Sequence, residues 1–160
     1  MIGLRIAPPV EPILVPLTSP KDLFEVWFGA AAANKVQGLS IVGNFRLHVE
    51  LNVPDSRMYA ARLVKKLFDG LICSMHSDRQ PDRKATGRLA ETYNVDEQII
   101  LERLSEPSNP SVVIPNTHRV VSPYRNNVKW NPADDRCMEG TLILRRASQK
   151  LARVYVCPMD

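Results

Sequence analysis

The feature that most restricts the fold of this sequence is a segment of alternating apolar and polar residues, followed directly by a segment with helical periodicity. Apolar residues occupy every second position from residue 45 to residue 53, and polar residues stand between them. Such alternation is typical of a strand with one buried face. From about Met58 to Met75, apolar residues then recur at a helical period, and Asp55 or Ser56 can cap this helix. The pattern predicts a half-buried strand followed by a long amphipathic helix.

Two further helical regions are predicted. The segment KDLFEVWFGAAAANK predicts a helix with Ser19 as its N-cap and Pro20 at its first position. The segment RLAETYNVDEQIILERL, which begins at Arg88, predicts two short helices over about 89–105, broken near Asn94. Its spacing is similar to that of a helix-turn-helix, whose second helix enters the major groove of DNA. That helix would present an acidic face, which phosphates repel, made of Asp96, Glu97, Gln98 and Glu102.

The remaining strand signals are short. A strand over 39–42 precedes a tight turn at Gly43-Asn44, and brief strand-like pieces occur at 112–114 and 119–121. The segments TLILRR and ARVYVCP predict a hairpin at the end of the sequence. The predicted fold class is therefore α+β. A small mixed or antiparallel sheet carries the long amphipathic helix, and a helical pair is inserted.

Composition predicts an ordinary globular domain. The 160 residues are 44% hydrophobic and 24% charged, which favours a single domain over 1–160 with one real core. The sequence holds no apolar run of the roughly 18 residues that a bilayer requires, and prolines interrupt the first residues, so we expect a cytoplasmic protein. The three cysteines share no CxxC spacing and are expected to be small buried hydrophobes. A four-ligand zinc site is the alternative, formed by Cys73, His76, His118 and Cys137.

The charge distribution indicates a polyanionic partner. The net charge is +4, and two basic zones, 57–88 and 136–153, flank an acidic stretch at 91–106. Basic zones that meet on one face would suit nucleic acid, whereas a solvated basic face without a partner is the alternative. The candidate nucleic-acid contacts are Arg57, Arg62, Lys65, Lys66, Arg145 and Arg146.

Two segments, HVELNVPDSRMYAARLVKKLFDGL and VKWNPADDRCMEGTLIL, carry a family resemblance. Their landmarks are Pro54-Asp55, Leu63, Lys65, Phe68-Asp69, Leu71, Trp130 and Asp134-Asp135. In this order they resemble the RusA-type Holliday-junction resolvases, which are endodeoxyribonucleases of DNA recombination and repair. The landmarks extend over about half of the chain.

The resemblance implies DNA as the partner, Mg²⁺ as the cofactor and a homodimer. Converging carboxylates would hold Mg²⁺ and a lysine would neutralise the phosphate. The implied catalytic residues are Lys65, Asp134 and Asp135, and the implied metal ligands are Asp55, Asp134 and Asp135. The sequence departs from the family where Tyr59, Ala61 and Arg62 replace two aspartates and an asparagine, and where residues 76–126 form an insert of about 50 residues.

Two hypotheses about function follow. The first is a nucleic-acid-binding protein for branched or structured DNA, with Mg²⁺-dependent nuclease activity reduced, relocated to Asp134 and Asp135, or lost. This hypothesis predicts that Lys65, Lys66, Arg145 and Arg146 lie on one face. The alternative is a non-enzymatic regulatory or interaction module that uses the inserted helical pair within residues 89–105.

Overall fold

A computed structural model describes residues 12–17, 22–33, 41–54, 61–78, 80–105, 114 and 119–159, with only the backbone described at 61–63 and 134. The fold class is α+β, as predicted. In chain order the elements are β1 (Ile13–Val15), α1 (Leu23–Ala31), β2 (Phe45–Val53), α2 (Ala61–Cys73), α3 (Arg83–Tyr93), α4 (Glu97–Ser105), β3 (Val121–Tyr124), β4 (Asn127–Trp130), a 3₁₀ turn (Asp134–Arg136), β5 (Cys137–Arg146) and β6 (Ala152–Pro158).

The main sheet is mixed and has the strand order β1-β6-β2-β5. Strand β6 runs antiparallel to both β1 and β2, whereas β5 runs parallel to β2. The predicted terminal hairpin is therefore wrong, because β2 lies between β5 and β6. Strand β2 is fully buried at every second residue. It occupies an inner position in the sheet, where its Leu47 has Gly140 on one side and Val156 on the other.

Helices α1 and α2 cover one face of this sheet. Leu67 and Leu71 of α2 belong to the same buried cluster as Val49 and Leu51 of β2, and this confirms the predicted alternation. A Cβ atom built on Gly70 would lie 2.7 Å from Cβ of Val26. Only a glycine at this position allows α1 and α2 to approach so closely.

The ends of several predicted elements differ in the structure. Helix α1 begins after Asp22, whose Oδ1 accepts the N–H of Glu25 at 3.1 Å, so the predicted N-cap at Ser19 is wrong. The predicted helix over 58–75 is helical from Ala61 to Cys73, with 58–60 outside the described residues. Neither 41–42 nor 114 is in a strand, and 39–40 and 112–113 are outside the described residues.

A second buried cluster lies on the other side of α1. Phe24 and Trp27 of α1 pack there with Leu89 of α3 and with Ile100 and Leu104 of α4. The helical pair is broken as predicted, because Asn94 adopts the left-handed conformation (φ 52°, ψ 50°) that ends α3. The β3–β4 hairpin completes this cluster, and it was not predicted beyond the piece at 119–121. The helical pair is thus part of the core.

Two expectations concern the whole chain. Within the part of the chain that the structure describes, no helix is long and apolar enough to cross a membrane. Cys73 is buried as predicted, whereas Cys137 and Cys157 are only half-buried.

Candidate functional site

A cleft of about 370 Å³ opens where α1, α2, α3 and β4 meet. Its volume lies within the roughly 300–1,000 Å³ that is typical of small-molecule sites. Its walls combine aromatic with charged side chains. The residues that give the cleft its chemistry are Asp22, Phe24, Lys66, Arg88, Tyr93 and Trp130.

The aromatic wall of the cleft is firmly supported. Phe24 stacks on Tyr93 with ring centroids 4.0 Å apart and planes 15° apart. Trp130 packs against Phe24 at 6.4 Å and against Trp27 at 5.3 Å, and Trp27 is itself fully buried. Both Trp130 distances lie within the range of about 4.5–7 Å at which aromatic pairs are mutually stabilising. The wall therefore keeps its shape without a ligand.

The carboxylate of Asp22 lies next to this aromatic wall. Oδ2 of Asp22 accepts the hydroxyl proton of Tyr93 at 2.5 Å, while Oδ1 caps α1. Burial, reinforced by this hydrogen bond, raises the pKa of the Tyr93 phenol well above its usual value. Tyr93 thus remains a donor, and Asp22 offers only acceptor atoms to anything inside the cleft.

Two cations from different helices stand at the cleft. Lys66 is an exposed residue of α2 and makes no ion pair with any residue that the structure describes. Arg88 of α3 donates from Nη1 to the carbonyl oxygen of Asn127 at 2.8 Å. Because a guanidinium has five N–H donors, this bond orients the group and leaves donors for a ligand. The cleft thus carries two positive charges against the single carboxylate of Asp22.

The predicted convergence of basic residues on one face is wrong. Gly140 of β5 lies against the ring of Phe68 of α2, so the even-numbered residues from Gly140 to Arg146 face that helix. Arg145 faces the other way, where its Nη2 lies 3.4 Å from Oε1 of Glu50 on the polar face of β2. The sheet therefore separates Arg145 from Lys66, because adjacent strand residues point to opposite faces.

The other predicted contacts are distributed around α2 and the end of β5. Arg146 stands opposite the buried Val53 and so lies on the α2 side of the sheet. Lys65 donates to Oδ2 of Asp69, one helical turn away, at 2.9 Å. Arg57 and the side chain of Arg62 lie outside the described residues. Of the four predicted contacts whose side chains the structure describes, only Lys66 lines the cleft.

The predicted metal ligands are only partly described. Asp55 and the side chain of Asp134 lie outside the described residues, and Asp135 is an exposed residue of the 3₁₀ turn. Among the described side chains, no group of three His, Cys, Asp or Glu could hold a metal ion. The Mg²⁺ site at Asp55, Asp134 and Asp135 therefore stays a prediction.

His76 contradicts the zinc alternative. Its Nδ1 bonds to the carbonyl oxygen of Ile114 and its Nε2 accepts the N–H of Ala133, both at 3.0 Å, so neither ring nitrogen is available to a metal. Burial lowers the pKa of this imidazole, and the nearby Arg136 lowers it further. Cys73 is buried in the second cluster, and His118 lies outside the described residues. His76 fixes the chain that leads into the 3₁₀ turn.

The site residues predicted from the sequence do not include Asp22, Arg88 or Tyr93. Arg88 was counted in a basic zone, and the short spacing from Asp22 to Glu25 is a capping signal. Comparison of the chain with protein-family models, with curated proteins and with solved structures gives no match. The resemblance to RusA-type resolvases therefore depends on the landmark residues alone.

Proposed function

We propose that this protein binds nucleic acid, and that the cleft between α1, α2, α3 and β4 contacts the phosphate backbone. The observation that carries the proposal is the placement of Lys66 and Arg88 at an aromatic wall that includes Trp130. Cations that follow a backbone, combined with aromatic rings on which bases stack, are the usual means of holding nucleic-acid strands.

Further cations extend this surface beyond the cleft. Lys84 is exposed and precedes Arg88 by one helical turn, so both lie on one side of α3. Arg125 is exposed at the turn between β3 and β4, and β4 also forms part of the cleft wall. The two elements that carry these cations, α3 and the β3–β4 hairpin, both contribute to the cleft wall.

The resolvase resemblance supports a more specific form of the proposal. Trp130, one of its landmarks, lies in the cleft wall, and Asp134 begins the 3₁₀ turn only a few residues later. On this basis, and without Arg145 as a contact because it lies on the opposite face of the sheet, we propose branched or structured DNA as the partner of a cytoplasmic homodimer. Mg²⁺-dependent cleavage would use Lys65 with Asp134 and Asp135, and Asp55 would complete the metal ligands.

A binding titration tests the proposal. Four-way-junction, duplex and single-stranded DNA are titrated at two salt concentrations, each with and without Mg²⁺, and the products are inspected for cleavage. We expect salt-sensitive binding, since neutralised phosphates release counterions. Each of Lys66→Ala and Arg88→Met should lower the slope of log affinity against log salt by about 0.7–0.9. Lys150→Ala removes an exposed charge outside the cleft and serves as the matched control. Absence of salt-sensitive binding to every DNA form would contradict the proposal.

The alternative function, an interaction module built on α3 and α4, has one observation in its favour. Ile99 is 39% exposed on α4, beside the acidic Glu102. Deletion of the helical pair would not test it, because Leu89, Ile100 and Leu104 are core residues. The substitutions Ile99→Ser and Glu102→Lys change only the surface. The alternative is favoured if they alter DNA binding while the cleft substitutions do not.

A further inference from the structure

The cleft is too small and too aromatic to be only a strip of positive surface. Its volume of about 370 Å³ suits one nucleotide rather than a length of duplex. A base that is paired and stacked in a duplex presents only its edge, so a base must leave the stack before an aromatic wall can contact its face. The shape of the cleft therefore bears on which form of nucleic acid it receives.

The wall is already arranged for such a contact. The stacked rings of Phe24 and Tyr93 and the packing of Trp27 behind Trp130 hold the aromatic side chains in place. A site that is ordered before binding loses little conformational freedom when its ligand arrives. Every base has a face that can stack, so this wall by itself accepts any base.

The two cations define the position of a phosphate. Arg88 is oriented by its bond to the carbonyl oxygen of Asn127, and a guanidinium can bind two phosphate oxygens at once. Lys66 approaches from α2 and adds a second, more mobile charge. A group with a base against the wall and a phosphate near both cations would use every chemical feature of the cleft.

Asp22 makes the cleft selective for the hydrogen-bonding edge of the base. Its carboxylate only accepts hydrogen bonds, and its bond from Tyr93 leaves lone pairs for a ligand. A base edge beside Asp22 must therefore donate. Guanine presents two adjacent N–H donors on its Watson–Crick edge, whereas uracil presents one N–H between two carbonyl oxygens, which the carboxylate repels.

We infer that the cleft binds a single unpaired nucleotide, with its base on the wall of Tyr93 and Trp130, its phosphate at Lys66 and Arg88, and a guanine edge at Asp22. This inference rests on the proposed function, because it names the part of the nucleic acid that the cleft receives. It requires single-stranded or flipped-out nucleotides and excludes continuous duplex as the ligand of the cleft.

The test uses the full chain and four small probes: GMP, UMP, guanosine and inorganic phosphate. Binding is followed by NMR as a change in the chemical shift of the indole N–H of Trp130. The indole signals of Trp130 and Trp27 are compared to assign the one that belongs to Trp130. We expect GMP to bind more tightly than guanosine, UMP or phosphate. Lys66→Ala should weaken GMP about tenfold and leave guanosine unchanged, since it removes one charge-assisted contact. Lys150→Ala is again the matched control.

Asp22→Asn tests the selectivity separately. The amide retains the oxygen that caps α1 and replaces the second acceptor with a donor, so the preference for GMP over UMP should fall about tenfold. Circular dichroism checks that the variant folds. If it does not, Tyr93→Phe, which frees an acceptor site on Asp22 and keeps the ring, should preserve the preference for GMP. Loss of that preference would overturn the role of Asp22.

The remaining outcomes distinguish this inference from the proposed function. A short guanine-containing single strand should bind more tightly than GMP if nucleic acid is the source of the nucleotide, and equal affinity would mean a site for free nucleotides. Equal binding of GMP and inorganic phosphate would leave only an anion site and overturn the inference. If DNA binds with salt sensitivity but none of the four small probes shifts the indole N–H signal of Trp130, the inference fails and the proposed function stands. If no nucleic acid binds, both fail.

Discussion

The hydroxyl of Tyr93 donates to Oδ2 of Asp22 across 2.5 Å, and so joins the last residue of α3 to the N-cap of α1. The Tyr93→Phe substitution should lower the free energy of unfolding by about 1–2 kcal/mol, because it removes a hydrogen bond to a charged group. The stacking of the ring on Phe24 is kept. Chemical denaturation measures the change, and Tyr124→Phe, at an exposed tyrosine of the β3–β4 hairpin, is the control.

The same contact predicts a dependence on alkaline pH. Burial and the Asp22 bond raise the pKa of Tyr93 above the 10.0 of an unfolded tyrosine. Above that pH the unfolded chain releases a proton that the folded chain retains, so the contribution to stability is complete below pH 10 and is lost as pH rises. Denaturation across this range should show a steeper decline for the unmodified protein than for Tyr93→Phe. Parallel declines would contradict the prediction.

His76 predicts the opposite dependence at acidic pH. Burial lowers the pKa of its ring below 6.5, so the folded protein holds it neutral while the unfolded chain takes up a proton. Its contribution to stability is present above pH 6.5 and is lost as pH falls toward the folded pKa. Unfolding measured over this range should give a smaller slope for His76→Phe, which also leaves the N–H of Ala133 without its acceptor. Identical slopes would exclude His76 as the titrating group.

Gly70 should not tolerate an added methyl group. A Cβ atom there would lie 2.7 Å from Cβ of Val26 and 3.0 Å from the carbonyl oxygen of Leu23. We expect Gly70→Ala to destabilise the protein by about 1–3 kcal/mol through overpacking, despite the better helix propensity of alanine. Gly87→Ala is the matched control on α3, because the nearest atom to its Cβ is 3.7 Å away. Thermal unfolding should show that Gly87→Ala is neutral or stabilising.

Asp78 connects the second cluster to the β3–β4 hairpin. Its buried carboxylate accepts the N–H of Gln80 at 3.1 Å and that of Val120 at 3.2 Å. Asp78→Ala leaves both donors without this acceptor and should cost about 2–3 kcal/mol. Hydrogen exchange at the amide of Val120 should accelerate together with the loss of stability. Asp96→Ala, which removes an exposed bond to the N–H of Gln98, should cost about 1 kcal/mol or less.

Local periodicity explains what the sequence predicted correctly. Three features were predictable from one short segment each: the alternation of β2, the amphipathic period of α2 and the break at Asn94. Burial of alternate residues, or of every third and fourth, follows from backbone geometry alone. These elements therefore required no knowledge of their neighbours.

Contacts between distant segments explain what was not predicted. The cleft takes its side chains from four separate elements, and the β4 element was not foreseen. The separation of Arg145 from Lys66 depends on which face of the sheet α2 covers. The hairpin signal in β5 and β6 could not reveal that β2 lies between them, because strand order depends on the whole sheet.

The position of β6 has a consequence for how the chain acquires its structure. Among the described strands, β1 pairs only with β6, and β2 has β6 on one side and β5 on the other. The sheet therefore cannot assemble by successive addition of neighbouring segments. Strands β1 and β2 remain without their neighbours until β5 and β6, much later in the sequence, pair with them. Such long-range pairing slows folding. During synthesis, β1 and β2 would depend on α1 and α2 or on chaperones to cover Val15 and Val49 until β6 has left the ribosome.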